Sequence, residues 1–239
     1  MLKEIIKNTL FLASSTGNYV VCLPVFRLFA RRFPRISNPE TDICIEGFPR
    51  SGNTYFVSAF LSWNRGSAVA HHSHLAGSAK YAIRREIPTV ILAREPQDAV
   101  ASVMAWDGLL WTPVALLSYI HFYRVLWRYR HKFLVLSFDD VTQRPDECIQ
   151  KINRRFNTTF QCEEFSDLVD EKIRARLKTV DRRHDRGGTS SSLPNPQKLE
   201  LKTDCSRRVL RSRLYPFAKR LYSNFSGLDR HAESTKPQN

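Results

Sequence analysis

The chain has 239 residues, 42% of them hydrophobic, a net charge of +14 and an isoelectric point near 9.9. That size and apolar content fit one ordinary domain with a sizeable core and exclude a globally disordered chain. The basic balance favours polyanions, anionic membrane surfaces or phosphorylated small molecules as partners, without choosing among them. The five cysteines, Cys22, Cys44, Cys148, Cys162 and Cys205, are scattered and form no C-x-x-C pair. They indicate neither a zinc site nor a disulfide framework and fit a reducing, cytoplasmic setting.

The first 41 residues read as a hydrophobic and basic extension. No charge falls between Lys7 and Arg27, and Arg27, Arg31, Arg32 and Arg35 follow. Ser14 to Asn18 and Pro24 interrupt the apolar run, which counts against a membrane span, and no clean small-residue cleavage site follows it. An amphipathic segment lying on a membrane surface is the expectation for this stretch, with a span or a plain packed helix as alternatives. Arg32 to Thr41, with Pro34 and Pro39, reads as a linker.

From residue 42 to 228 the pattern is that of a single α/β domain. Ile43 to Ile45 is an apolar strand, and a loop from Gly47 to Thr54 leads into a helix reaching about Trp63. Ala68 to Ala70 is a short strand, and Lys80 to Glu86 reads as helix. Thr89 to Ala93 is a second full apolar strand. Pro96 opens a helix from about Gln97 to Trp106, since proline suits a first helical position. Val114 to Arg130 is a long aromatic helix, Phe133 to Ser137 a strand, and a further helix starts near Pro145. Apolar strands alternating with helices imply a parallel sheet covered on both faces, with ligands at the strand carboxyl ends. Past Phe165 the chain turns basic. Lys172 to Arg186 is charged, Arg186 to Ser192 reads as a flexible loop, and Ser206 to Phe225 as one basic amphipathic helix. Residues 229–239 form a polar tail, expected to fray.

Three elements carry chemistry. The first is the loop after Ile45, whose spacing Gly47-x4-Gly52-x-Thr54 is that of a phosphate-binding P-loop. Loop N–H groups and the following helix N-terminus both point at an anion in such a turn. Asn53 stands where a nucleotide triphosphatase has lysine, and the cation, Arg50, lies inside the loop. The second is Arg94 at a strand end with Ser102 eight residues on, suited to a second phosphate; the plainer reading is an Arg94–Asp98 ion pair and a helix-face serine. The third is Ala70-His71-His72-Ser73-His74-Leu75. No cysteine or well-spaced further histidine completes a metal site there, and a histidine at a strand end facing a nucleotide loop makes a better general base.

Together these pieces resemble the sulfotransferase family that uses 3′-phosphoadenosine-5′-phosphosulfate as sulfuryl donor. Pro49-Arg50-Ser51-Gly52-Asn53-Thr54 matches that family's 5′-phosphosulfate loop except at Asn53, where the family has threonine. Arg94 and Ser102 match its 3′-phosphate element. Phe138-Asp139-Asp140-Val141 followed by Pro145 is similar to its Tyr-Glu-Asp-Leu-like segment. The resemblance implies a three-layer α/β/α fold of the P-loop nucleoside-triphosphate-hydrolase type. It implies donor contacts from Arg50, Ser51, Gly52, Asn53, Thr54, Arg94 and Ser102, with Tyr55, where many members have tryptophan, packed on the adenine. It implies that His74, in its Ser-His-Leu context, is the catalytic base, with Arg50 as charge stabiliser. Arg186-Gly187-Gly188 corresponds to the family's Arg-Lys-Gly loop with its lysine missing, which would add Arg186 and Gly188 to the donor contacts. No metal is expected, and the acceptor is a hydroxyl or amine on a small molecule, lipid or carbohydrate.

Two other functions fit parts of the sequence. A P-loop kinase would explain the loop, but the lysine is missing at position 53. A non-enzymatic basic module for nucleic acid or membrane would explain the charge. Tyr119, Phe122, Tyr123, Trp127 and Tyr129 interleave with Arg124, Arg128 and Arg130, yet their helical spacing favours core over base-stacking roles.

Overall fold

A computed structural model of the chain describes residues 1–15, 36–184 and 196–234. Four apolar runs form one sheet: β1 (Ile43–Gly47), β2 (Val69–His71), β3 (Thr89–Ala93) and β4 (Leu134–Ser137), in the order β2-β1-β3-β4. Every pairing is parallel, with Ile45 opposite His71 and Val90, Gly47 opposite Leu92, and Ala93 opposite Ser137. All residues of β1 and β3 are buried. Strands covered on both faces need continuous rather than alternating apolar character, which is how these runs are composed.

Successive side chains along a strand face opposite ways, and each face has its own core. Ile43, Ile45, Val90, Leu92 and Leu136 pack with Phe56 and Phe60 of α2 (Asn53–Trp63) and Ile149 and Ile152 of α7 (Pro145–Phe156). Cys44, Ile91, Ala93 and Val135 pack against α3 (Ala76–Arg84), α4 (Pro96–Trp106), α5 (Thr112–Trp127) and Phe225 of α10 (Tyr215–Ser234). The architecture is therefore helix, parallel sheet, helix. Tyr119, Phe122 and Tyr123 of α5 are at most 1% exposed, so they are core residues. The Tyr119 and Tyr123 hydroxyls donate to the Arg94 and Leu92 carbonyls at 2.7 and 2.8 Å, satisfying groups at the end of β3.

Several elements differ from the sequence expectation. Helix α3 begins at Ala76 rather than Lys80 and ends at Arg84, where Glu86 takes a φ of 58°. Its buried first turn, Ala76-Gly77-Ser78-Ala79, has small side chains that give no apolar rhythm. A short helix, α6 (Phe138–Gln143), follows β4 directly, its end capped where the Ser137 hydroxyl accepts from the Asp140 N–H. The single helix expected over Ser206 to Phe225 is two, α9 (Pro196–Leu210) and α10. Pro216 belongs in a first helical turn, because inside a helix its ring would meet the carbonyl of residue 212. The end of α10 also lies beyond the domain limit expected at residue 228, inside the tail expected to fray.

At the amino end, α1 (Leu2–Ser14) packs along α5, and Ser118 Oγ donates to the Phe11 carbonyl at 3.4 Å. Among the described residues no helix is long and apolar enough to cross a membrane. Residues 16–26 of the proposed surface-lying stretch, and the loop Arg186 to Ser192, lie outside the described residues.

The strand order fixes where a ligand belongs. From β1 the chain passes through α2 to β2 on one side, then through α3 across β1 to β3 and outward to β4. The crossovers leave β1 and β3 in opposite directions, so the crevice above their carboxyl ends is a topological switch point, where open α/β sheets bind ligands.

Candidate functional site

Gly47 ends β1 with no room for a side chain: a Cβ there would lie 2.7 Å from the Leu92 carbonyl. The loop then closes with Ser51 N–H donating to the Phe48 carbonyl at 3.2 Å, and Arg50 adopts a φ of 70°. Gly52 has a φ of 93°, and a Cβ on it would meet Val141 at 3.0 Å and Phe138 at 3.3 Å. Glycine alone suits both the left-handed backbone and this close approach of α6. Gly52 also caps α2 without offering a side-chain acceptor, and the first turn of α2 holds no acid. The N–H groups of that turn therefore favour an anion. Nearby, Ser51 is fully buried, and its Oγ makes no well-formed hydrogen bond although the Tyr123 phenol lies close. The Asn53 carboxamide donates to the Phe48 carbonyl at 3.4 Å, while its Oδ1 has no partner among the described residues. Buried polar atoms left so are unusual in folded proteins.

The two phosphate-type elements of the sequence meet in space. Arg50 Nε donates to Ser102 Oγ at 3.0 Å, and Arg94 Nη1 donates to the Arg50 carbonyl at 2.9 Å. The Arg94 guanidinium stacks 3.7 Å above the Phe138 ring, a cation–π contact. The surface pair of Arg94 with Asp98 does not form; Asp98 pairs instead with Lys202 at 2.9 Å. Phe138, not singled out in the sequence reading as a contact, thus touches Arg94 and would crowd any substituent at Gly52.

His71 ends β2, and His72 and His74 follow it on a turn with φ of 57° and 51°. His74 Nδ1 lies 2.8 Å from the Gly47 carbonyl. A carbonyl only accepts, so Nδ1 carries the proton and Nε2 keeps its lone pair in the neutral ring. Burial pushes the His74 pKa below the usual histidine value, the Arg50 charge adds to this, and the Gly47 hydrogen bond opposes it. His74 also borders a small pocket with Phe11, Phe48, Pro49, Ser118 and Phe122. His72 Nε2 shares a 2.9 Å hydrogen bond with Thr54 Oγ1, and the Nδ1 atoms of His71 and His72 share one of 2.6 Å. Among the described residues no group of three His, Cys, Asp or Glu is arranged to hold a metal ion.

One acid holds this turn. Glu46, fully buried in β1, accepts from the Ser73 N–H at 2.9 Å, from the Ser73 hydroxyl, and from the His74 N–H at 3.0 Å. Sequence reading passed over it, although an acid closing an otherwise apolar strand was the available signal. Burial raises its pKa from 4.5 to about 7, against the donors from Ser73, His74 and Gly47, which favour the anion. An acid with a raised folded pKa stabilises fully below its unfolded value and loses that contribution as pH rises through the folded one. Between pH 4.5 and 7 Glu46 alone would therefore cost up to about 3 kcal/mol of stability as pH rises. His74, with a depressed pKa, acts in the opposite direction below 6.5. Denaturant titrations across this range should show a more favourable pH slope in Glu46→Gln than in the parent, and identical slopes would remove Glu46 from the account.

Tyr55 is 8% exposed, packs with Val169, Ile173 and Leu177 of α8 (Asp167–His184), and donates to Asp170 at 2.5 Å. Here it forms part of the seam between α2 and α8. Arg186 and Gly188 lie outside the described residues. Arg50, Ser51, Gly52, Asn53, Thr54, Arg94, Ser102 and His74 all surround the carboxyl ends of β1 to β3. No protein-family model matches the chain, and no curated protein matches it.

Proposed function

We propose that the protein is a sulfotransferase that moves a sulfuryl group from 3′-phosphoadenosine-5′-phosphosulfate to an acceptor hydroxyl or amine. The observation that carries this reading is the convergence of Arg50, Arg94 and Ser102 at the switch point beside His74, whose free nitrogen is Nε2. The first-turn N–H groups of α2, Ser51 Oγ and Arg50 would hold the donor's 5′-phosphosulfate, and Arg94 with Ser102 its 3′-phosphate. In the transfer the acceptor oxygen attacks sulfur in line, and the bond from sulfur to the bridging phosphate oxygen breaks. The acceptor proton passes to His74 Nε2, and adenosine 3′,5′-bisphosphate leaves with its new charge facing Arg50. A Walker-type lysine has no task in this scheme, since charge on a triphosphate is not what is being held.

Adenosine 3′,5′-bisphosphate at a hundredfold its Kd should stabilise the protein by about 2.7 kcal/mol, or roughly 5–10 °C in Tm for a chain of this size. A shift with magnesium–ATP and none with the bisphosphate would replace this reading with the kinase one.

A further inference from the structure

We propose that the face formed by α1 and the turn between α4 and α5 docks on an anionic lipid bilayer. Leu2, Ile5, Ile6 and Thr9 recur at helical spacing on one side of α1, and all four are exposed. The opposite side is fixed to the body of the protein. Asn8 donates to the Leu109 carbonyl at 2.9 Å and accepts from the Trp111 N–H at 2.9 Å. Lys7 pairs with Asp107 at 2.6 Å, and the Trp111 indole donates to Glu4 at 2.6 Å. These bonds leave the apolar side outward and tie α1 to the turn that carries the exposed Trp106, Leu109 and Trp111. Trp106 is 54% exposed and Leu2 71%. Of the thirteen large hydrophobic residues exposed in the described part of the chain, eight are Met1, the α1 trio, Trp106, Leu109, Trp111 and Leu117. An exposed apolar patch so concentrated marks an interaction surface.

The neighbouring charges select a lipid surface as occupant. The outward stripe of α5 that starts at Pro113 and Leu117 continues through half-buried His121 to Arg124 and, just past the helix, Arg128, both exposed. Arg84 of α3 reaches Tyr129 at 3.3 Å, at that same basic end. In sequence, residues 16–35 add four arginines and no acid. Apolar side chains with tryptophans, flanked by arginines, match the acyl boundary and the anionic headgroups of a bilayer. A second copy of the chain is a poor occupant, since it brings +14 against +14. The pocket at His74 is walled by Phe11 of the same helix, so docking there holds the transfer site near the bilayer.

Sedimentation of the full chain with vesicles of phosphatidylcholine, or of phosphatidylcholine and phosphatidylglycerol at three to one, tests this without any donor or acceptor. Binding to the anionic vesicles should exceed that to neutral ones at least tenfold. The double variant Ile5→Asp, Trp106→Ser should lose at least tenfold of it, with an unchanged circular dichroism spectrum. The proposal is overturned if neither vesicle sediments the protein. It is equally overturned if the double variant binds as the parent does, which would make the attachment purely basic, or if the face is covered by a concentration-dependent dimer or a protein partner. None of these outcomes bears on donor binding, so the sulfotransferase reading stands or falls separately.

Discussion

His74→Ala is expected to lower kcat for sulfuryl transfer by about 10²–10⁴-fold while leaving the Kd for adenosine 3′,5′-bisphosphate within about threefold. In the proposed transfer a base acts only as the acceptor proton leaves, so its loss would fall on the transition state rather than on donor binding. The side chain also ties the turn after β2 to the Gly47 carbonyl. A bisphosphate titration of the variant therefore separates loss of a base from loss of loop order. The parent protein supplies a second check. Because burial and Arg50 depress the His74 pKa, the acid limb of its kcat/KM profile should fall below the usual histidine value of 6.5. Full turnover in His74→Ala with loss in His72→Ala would move the base to the ring that meets Thr54.

Arg94→Ala is expected to weaken adenosine 3′,5′-bisphosphate roughly 10- to 100-fold, the usual cost of a hydrogen-bonded charge, and adenosine 5′-monophosphate far less. Arg94 has two tasks in the fold, since it also donates to the Arg50 carbonyl and stacks on Phe138. The ratio of the two losses is the informative quantity. A 3′-phosphate contact changes that ratio, whereas a purely architectural role would weaken both ligands alike. Calorimetry with the two nucleotides reads it directly, and equal losses would remove the 3′-phosphate assignment.

The central strands and the glycine-bearing turn after β1 were legible in the sequence because each rests on a local rule. β1 and β3 are continuous apolar runs, as double coverage demands. Gly52 is required by a positive φ, and Pro96 and Pro145 mark helix starts. What escaped depends on tertiary contact or on quiet side chains. The first turn of α3 is made of alanine, glycine and serine, which pack without a hydrophobic rhythm. α6 was announced by Ser137 three residues before Asp140, a capping pattern followed by too short a helix to show periodicity. The site was half legible. Arg50, Arg94 and Ser102 could be named from spacing and His74 only through the family resemblance, but no rule of spacing says that Arg50 reaches Ser102. Nor does any such rule say that Glu46 grips the backbone of Ser73 and His74, since that contact exists only once β2 lies beside β1.

The position of Phe225 bears on how the protein is made. Its ring, 0% exposed, lies against Tyr123, Trp127 and Phe133, the last two reaching it from α5 and from the entry to β4. Among the described residues, those proposed for donor and base lie between positions 50 and 102. The apolar face that backs them stays uncovered until Phe225 has left the ribosome. A nascent chain in that state exposes aromatic surface on an otherwise assembled sheet, the sort of intermediate that chaperones shield. Premature termination before α10 would for the same reason yield an aggregating fragment rather than a smaller folded domain.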